Sequence, residues 1–284
     1  MGTSAREAAR DALRHALGRW DAARADFLRD ASPEAVHDLR VALRHSRSVL
    51  RAYRKVLPKR MCAARDELRS LTRAAGEARD LDVLALQTLP TLAMEGLSTP
   101  AVFMSRVATA RDQAALRLRR ALRSRHHALL REALGSELEA LDDGGGPVRK
   151  YSIKRLAKQE ARLARAARDA GSMDDAARHA LRIEAKRLRY MWQGFPPPVS
   201  RREARPWLTA LAALQENLGR AQDVVVAHEL LERLRASRAF ERKAHRLLAA
   251  EHAAACAEIA ALVRAVIDAS PVPGRKARAR DLHS

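Results

Sequence analysis

The sequence predicts an all-α fold, a duplicated helical bundle. Three observations carry that expectation. Ala, Leu and Arg dominate the 284 residues while aromatics are only 4%, which is good material for helices and poor material for sheets. Apolar residues recur at spacings of three and four between Pro and Gly breaks. Two blocks of sequence return later in the chain at almost the same offset. The length allows one large domain or two medium ones. With 47% hydrophobic and 31% charged residues the composition is globular.

The elements follow from the punctuation. A first helix, 4–29, stops before Ser32-Pro33, which opens a second over 33–57 because Pro is suited to a first helical turn. Pro58 separates that from 60–75, which Gly76 ends. Helix 79–95 stops at the stretch from Gly96 to Pro100, and 99–141 runs to the DDGGGP break at 142–147. Beyond it, 148–170 ends at Gly171-Ser172 and 173–194 ends before three prolines, Pro196 to Pro198. Helices 201–219, 222–236 and 238–269 complete the count, with Gly219 as the first of their breaks. The tail 270–284 is basic and expected to be disordered.

The repeat pairs HDLRVALRHSR (37–47) with HALRIEAKRLR (179–189). It also pairs LRSLTRAAGEARDLDV (68–83) with LAALQENLGRAQDVVV (211–226), the register slipping by a single position between the two blocks. Two matching blocks in one order divide the chain into a first bundle, 1–142, and a second, 143–269.

Lys+Arg is 54 against Asp+Glu 34, a net charge of +20. Such an excess repels itself in a compact chain, and its usual use is to hold a polyanion. Eight of the basic residues are Lys and the rest are Arg, whose fork matches phosphate oxygens. An Arg-rich codon usage would give the same composition, so charge alone does not name a partner.

The pattern within the repeat is more specific. On a helix, His37, Arg40, Arg44, Arg47, Arg51 and Arg54 fall within an arc of about 100°, a ridge about 25 Å long. Val36, Leu39, Leu43, Leu50 and Leu57 fill the adjacent arc. In the second copy His179, Arg182, Lys186 and Arg189 take the basic arc, and Leu181, Ala185, Leu188 and Trp192 take the apolar one. That stripe ends early, because Gln193 stands where the first copy has Arg51. A solvated face normally mixes signs, and like charges four residues apart destabilise a helix. A ridge without acids, present twice, therefore points to a ligand with closely spaced phosphates. The two ridges could face each other across a groove. Nucleic acid is a candidate, but aromatics for stacking bases are scarce and no zinc-finger, RRM or homeodomain motif is present.

These residues resemble the CHAD domain family (conserved histidine α-helical domain). VHDLRVALRHSRSVLRAYR followed by LRSLTRAAGEARDLDV is similar to its first repeat, and HALRIEAKRLRYMWQ with ALQENLGRAQD to its second. The resemblance covers about residues 5–265. It implies two bundles related by pseudo-two-fold symmetry around a basic central cavity. It also implies binding of inorganic polyphosphate without catalysis, often at polyphosphate granules. Carried over residue by residue, the ligand positions are His37, Arg40, Arg44 and Arg47, then His179, Arg182, Lys186 and Arg189. His45 and Ser46 depart from the family pattern, with His45 projecting away from the ridge. Nucleic acid stays as the alternative partner.

Two readings stay open for Asp80 and Asp223, four residues past Gly76 and Gly219. Each caps a following helix, or each pairs with a ridge Arg and orients it. Two readings stay open for His37 and His179 as well, ligand contact or a bond to their own backbone. No metal site is expected: HELLE at 228–232 is not H-E-x-x-H, His245 and His252 lack a third ligand, and His126-His127 cannot converge on one ion. No cofactor is expected, nor catalysis, since no G-x-S-x-G or P-loop is present. Cys62 and Cys256 alone suggest a reducing compartment. The N-terminus lacks an apolar signal region and no run of 18 apolar residues exists. The expected location is cytoplasmic, with no membrane partner.

Overall fold

The computed structural model describes residues 2–272. Among them every regular element is helical, and the one β-type contact is an isolated bridge between Ser4 and Pro147. The all-α expectation holds. Helix α1 (Ala5–Arg29) buries Leu13, Leu17, Trp20 and Phe27 along one stripe. Helix α2 (Pro33–Ala52) starts as its sequence directs: Ser32 Oγ accepts the Ala35 N–H at 3.4 Å, with Pro33 in the first turn. It stops at Ala52, short of the expected 57. The carbonyl of the buried Tyr53 accepts from Val56 and Leu57, a turn that returns Leu57 to the core. Pro58 disfavours the helical region for the residue before it, so the chain cannot simply continue.

Helix α3 (Lys59–Val83), a π-helical turn (Leu84–Thr88) and α4 (Leu89–Met94) form one unbroken run. The expected break at Gly76 is absent. A glycine costs a helix interior about 1 kcal/mol, less than the roughly 1.5–3 kcal/mol that burying one leucine contributes, and Leu71 and Leu81 are both buried beside it. The π turn lies just ahead of Pro90. Proline lacks an N–H and crowds the carbonyl four residues back, and a widened turn relieves both.

Helices α5 (Ala101–Arg123) and α6 (Arg125–Glu139) replace the single expected helix 99–141. Ser124 is extended there, its hydroxyl accepting from the His127 N–H at 3.2 Å and donating to the Ala121 carbonyl at 2.7 Å. In the DDGGGP break, Gly144, Gly145 and Gly146 have φ of 152°, 80° and 73°, which only glycine adopts at little cost. The carbonyls of Gly146 and Gly144 then accept from Ala5 and Arg6 N–H at 2.8 and 3.0 Å and hold the start of α1.

Helices α7 (Val148–Ala166), α8 (Asp175–Gln193), α9 (Arg201–Arg233) and α10 (Arg238–Asp268) follow. Asp174 caps α8, accepting the Ala177 N–H at 2.7 Å. Like α3, α9 runs straight through its glycine, Gly219, where the sequence predicts a break. Its end is closed by Arg106 of α5, which donates to the Arg235 carbonyl at 2.6 Å. The repeat shows in the helix starts: α2 and α8 begin at Pro33 and Asp175, α3 and α9 at Lys59 and Arg201, and the separation is the same in both pairs.

The chain packs as two compact units. One comprises Leu13–Leu141 and Asp223–His252. In it α2 lies on α3 and α3 on α5, over a core that includes Trp20, Leu39, Leu43, Tyr53, Leu68 and Leu81. The other comprises, among the described residues, Asp142–Gln222 with 2–12 and 253–272. There α7 lies on α8, and Trp192 tilts against Trp207 with ring centroids 5.0 Å apart. The unit boundary after Leu141 coincides with the glycine break between the repeats. Residues 2–12 and 223–252, by contrast, each fall in the unit of the other repeat, and α9, unbroken at Gly219, belongs to both. Of the basic tail, residues 273–284 lie outside the described residues; Ser270 donates to the buried Glu160 at 2.7 Å and Val272 is buried. No described helix is long and apolar enough to cross a membrane.

Candidate polyanion-binding face

The apolar arc of α2 is the one its period predicts: Val36, Leu39, Leu43 and Leu50 are at most 2% exposed. A second side is covered too. The Ser46 hydroxyl donates to the Ala16 carbonyl of α1 at 3.2 Å. His45 is buried beside it and kept neutral. Burial first, then the charges of Arg19 and His15, push its pKa down to about 4. With two sides covered, the ridge is what α2 has left to present. Along it Arg40, Arg44, Arg47 and Arg51 are half-buried, and His37 is exposed. Arg54 lies beyond the helix end, exposed in the turn, so the helical ridge spans 37–51 and not 37–54.

A second wall comes from α3. Arg47 Nε donates to the main-chain carbonyl of Arg65 at 3.2 Å. Burial, then Arg65 and Arg69, lower the pKa of Arg47, with Asp66 opposing and Arg44 adding to the shift. Arginine does not lose its proton in any ordinary range, so Arg47 stays charged, and the shift reports first its burial and then the cations gathered around it. Arg65, Arg69 and Arg73 follow one another at four-residue spacing. The sequence reading missed this second row, although its spacing is the same sign that exposes the first. In the register of the second block, their counterparts in the repeat are Leu208, Ala212 and Glu216, so only the first copy carries a basic face doubled in this way.

Asp80 lies in the last turn of α3 and Asp223 within α9. Neither caps a helix, because both helices continue through their glycines. Of the two readings, pairing is the one found at Asp80. Its Oδ1 is 4.0 Å from Arg40 Nη2, and Arg40 lies across Gly76, with Nε 3.9 Å from where a β-carbon would stand. Asp82 is buried and accepts from Arg111 Nε at 2.9 Å, tying α3 to α5.

The two histidines meet different neighbours. Partial burial, then Arg79, Arg40 and Arg44, hold the His37 pKa below its ordinary value, against an opposing contribution from Asp38. In the repeat, Gln222 stands where the first copy has Arg79. His179 Nδ1 is 2.5 Å from Gln222 Oε1, a bond in which the ring N–H donates to the amide oxygen. His179 and Arg189 are exposed, and Arg182 and Lys186 are half-buried. Arg189 donates to Gln215 Oε1 at 3.1 Å, and Gln215 is itself anchored by donating to the Ala185 carbonyl at 2.7 Å.

Among the described residues, no group of three or more His, Cys, Asp or Glu is placed to hold a metal ion. His228 and His245 do meet, their rings tilted by 39° with centroids 3.9 Å apart, a pairing that linear spacing does not reveal. The chemistry on offer is therefore that of fixed cations: guanidinium groups aligned on two helices, those of α2 partly desolvated.

The family model of the CHAD domain matches residues 11–232. The chain is similar to the crystal structure of the CHAD domain from the plant Ricinus communis, at 28% identity and a TM-score of 0.81, over 96% of this chain and 94% of that one. It shares its fold with PptA from Streptomyces chartreusis, at 17% identity and a TM-score of 0.68, over 94% of this chain and 99% of that one. No curated protein matches it. Family match, all-α architecture and recurring helix starts agree, and the chain belongs to the CHAD domain family.

Proposed function

We propose that this protein binds inorganic polyphosphate along the basic face of α2 and α3, with the α8 stripe as a second strip, and carries out no chemistry on it. One observation carries the reading: Arg44, Arg65 and Arg69 all lie close enough to Arg47 to lower its pKa, and Asp66 is the one acid that offsets them there. Like charges gathered in that way cost stability, and a chain of phosphates offsets the cost through charge-assisted hydrogen bonds. Phosphoryl transfer needs carboxylates that hold a metal at the phosphate, and here Asp66 and Asp80 are each engaged with a guanidinium. A binder of long polyphosphate collects where the polymer collects, which places this one at cytoplasmic polyphosphate granules.

The test is competition at fixed salt. Labelled long-chain polyphosphate is displaced from the protein by unlabelled polyphosphate, DNA, RNA or ATP, each matched in phosphate concentration. Polyphosphate should compete best, and no orthophosphate should be released. Equal or better displacement by DNA or RNA would replace this reading with a nucleic-acid one.

A further inference from the structure

The turn from α2 into α3 forms an open-sided cavity of about 240 Å³. Arg54, Lys55, Lys59 and Arg65 line it above an apolar floor of Leu50 and Leu57. No carboxylate is part of the lining; Asp66 touches one of these cations, lying 3.2 Å from Arg65 Nη2. The Cys62 thiol donates to the Arg54 carbonyl at 3.7 Å and closes the turn. Arg65 also links the cavity to the ridge, since its carbonyl holds Arg47.

The local sequence adds positive charge where the backbone is already positive. Helix α3 starts at Lys59, with no side-chain cap and no acid in its first turn. Cations there oppose the helix dipole. The duplication does not account for this arrangement. In the repeat, Arg54 and Lys55 correspond to Pro196 and Pro197, and Arg65 to the apolar Leu208; Lys59 alone keeps a basic counterpart, Arg201. The full set of cations is a feature of the first copy alone.

Shape separates this cavity from the ridge. A straight row of guanidinium groups suits the interior of a phosphate chain, in which each phosphate carries one charge. A cavity lined by four cations suits a group that ends there and carries more charge. The end phosphate of a chain has one more ionisable oxygen than an interior one. We infer that this cavity receives the terminal phosphate of a polyphosphate chain, so that the ligand is held with a defined end and direction. The inference rests on the polyphosphate reading above and adds to it the part of the polymer that is recognised.

The experiment compares long-chain polyphosphate with the same polymer capped at both ends as a neutral-amine phosphoramidate. Wild type should bind the capped chain about tenfold more weakly, the worth of one charge-assisted contact. Lys55→Gln/Lys59→Gln, at two exposed positions, should lose that factor on the uncapped chain and no longer respond to capping. Lys154→Gln/Lys158→Gln removes the same charge from exposed positions on α7 and should still respond. Equal binding of capped and uncapped chains by wild type overturns this inference alone. So does a Lys55→Gln/Lys59→Gln protein that still discriminates. Failure of wild type to bind any long polyphosphate overturns the underlying reading, and this one with it.

Discussion

Removing Arg44 and Arg69 together tests the doubled face where its two walls meet. The pair comes from different helices, and both perturb Arg47. On this face alone, Arg40, Arg44, Arg47 and Arg51 of α2 and Arg65 and Arg69 of α3 offer six contacts. For a flexible single-stranded polyanion, the logarithm of affinity falls with the logarithm of salt at about 0.7 per phosphate neutralised. Six contacts correspond to a slope near −4, or about a 300-fold loss of affinity between roughly 50 and 200 mM salt. In Arg44→Gln/Arg69→Gln, four contacts correspond to a slope near −3 and about a 50-fold loss over the same range. The assay is a titration of fluorescent long-chain polyphosphate at four salt concentrations, with circular dichroism to show unchanged helix content. Further contacts on α8 would steepen both lines and leave their difference, about 1.4, in place. Parallel lines for the two proteins would refute the reasoning, because the two arginines would then not be neutralising phosphate.

Leu43 is fully buried, so Leu43→Ala should cost about 2–5 kcal/mol in urea unfolding, whereas Arg44→Ala, one position away on the basic face, should cost far less. His45 and His127 have pKa values pushed down to about 4, in both cases chiefly by burial. Since the unfolded chain binds their protons more readily, the stability they contribute is full above about pH 6.5 and is lost as pH falls towards about 4. Unfolding measured across that window should show the loss, and His45→Gln should flatten it. The His37 pKa is lowered by burial and by the arginines around it, and a bound phosphate chain would favour the charged ring. Proton uptake on binding follows, so affinity for polyphosphate should rise as pH falls through the interval from the bound-state value to the lowered free-state one. His37→Gln should remove that rise. Ser124→Ala deletes the cap between α5 and α6 and should cost about 1 kcal/mol in thermal unfolding.

Much of the fold can be read from the chain because its causes are local. Ser32-Pro33 and Asp174 announce the starts of α2 and α8, and both helices begin there. The apolar arc of α2 is an arithmetic consequence of 3.6 residues per turn, and its leucines are the buried ones. The acid-free ridge is visible for the same reason, since its members share one helix. Three positive-φ glycines in a row after Asp142-Asp143 mark the chain reversal that seats the start of α1.

What sequence alone could not decide depends on neighbours distant in the chain. Whether Gly76 and Gly219 end their helices turns on a competition between a local cost of about 1 kcal/mol and burial on both flanks, and packing won at both. Asp80 consequently lost its capping role and lies instead beside Arg40. Arg65 and Arg69 belong to the basic face because α3 folds back along α2, a relation that no spacing within α3 contains. The contrast between His37 and His179 has a related origin: sequence supplies Arg79 in one copy and Gln222 in the other, and packing is what brings each against its histidine. Sequence determined that the chain is helical, where α2 and α8 start, which face of α2 is apolar and where charge accumulates, because these depend on residues three and four apart. Tertiary structure determined which arginines meet and how far each loses water, because pairing and desolvation depend on what another helix brings near.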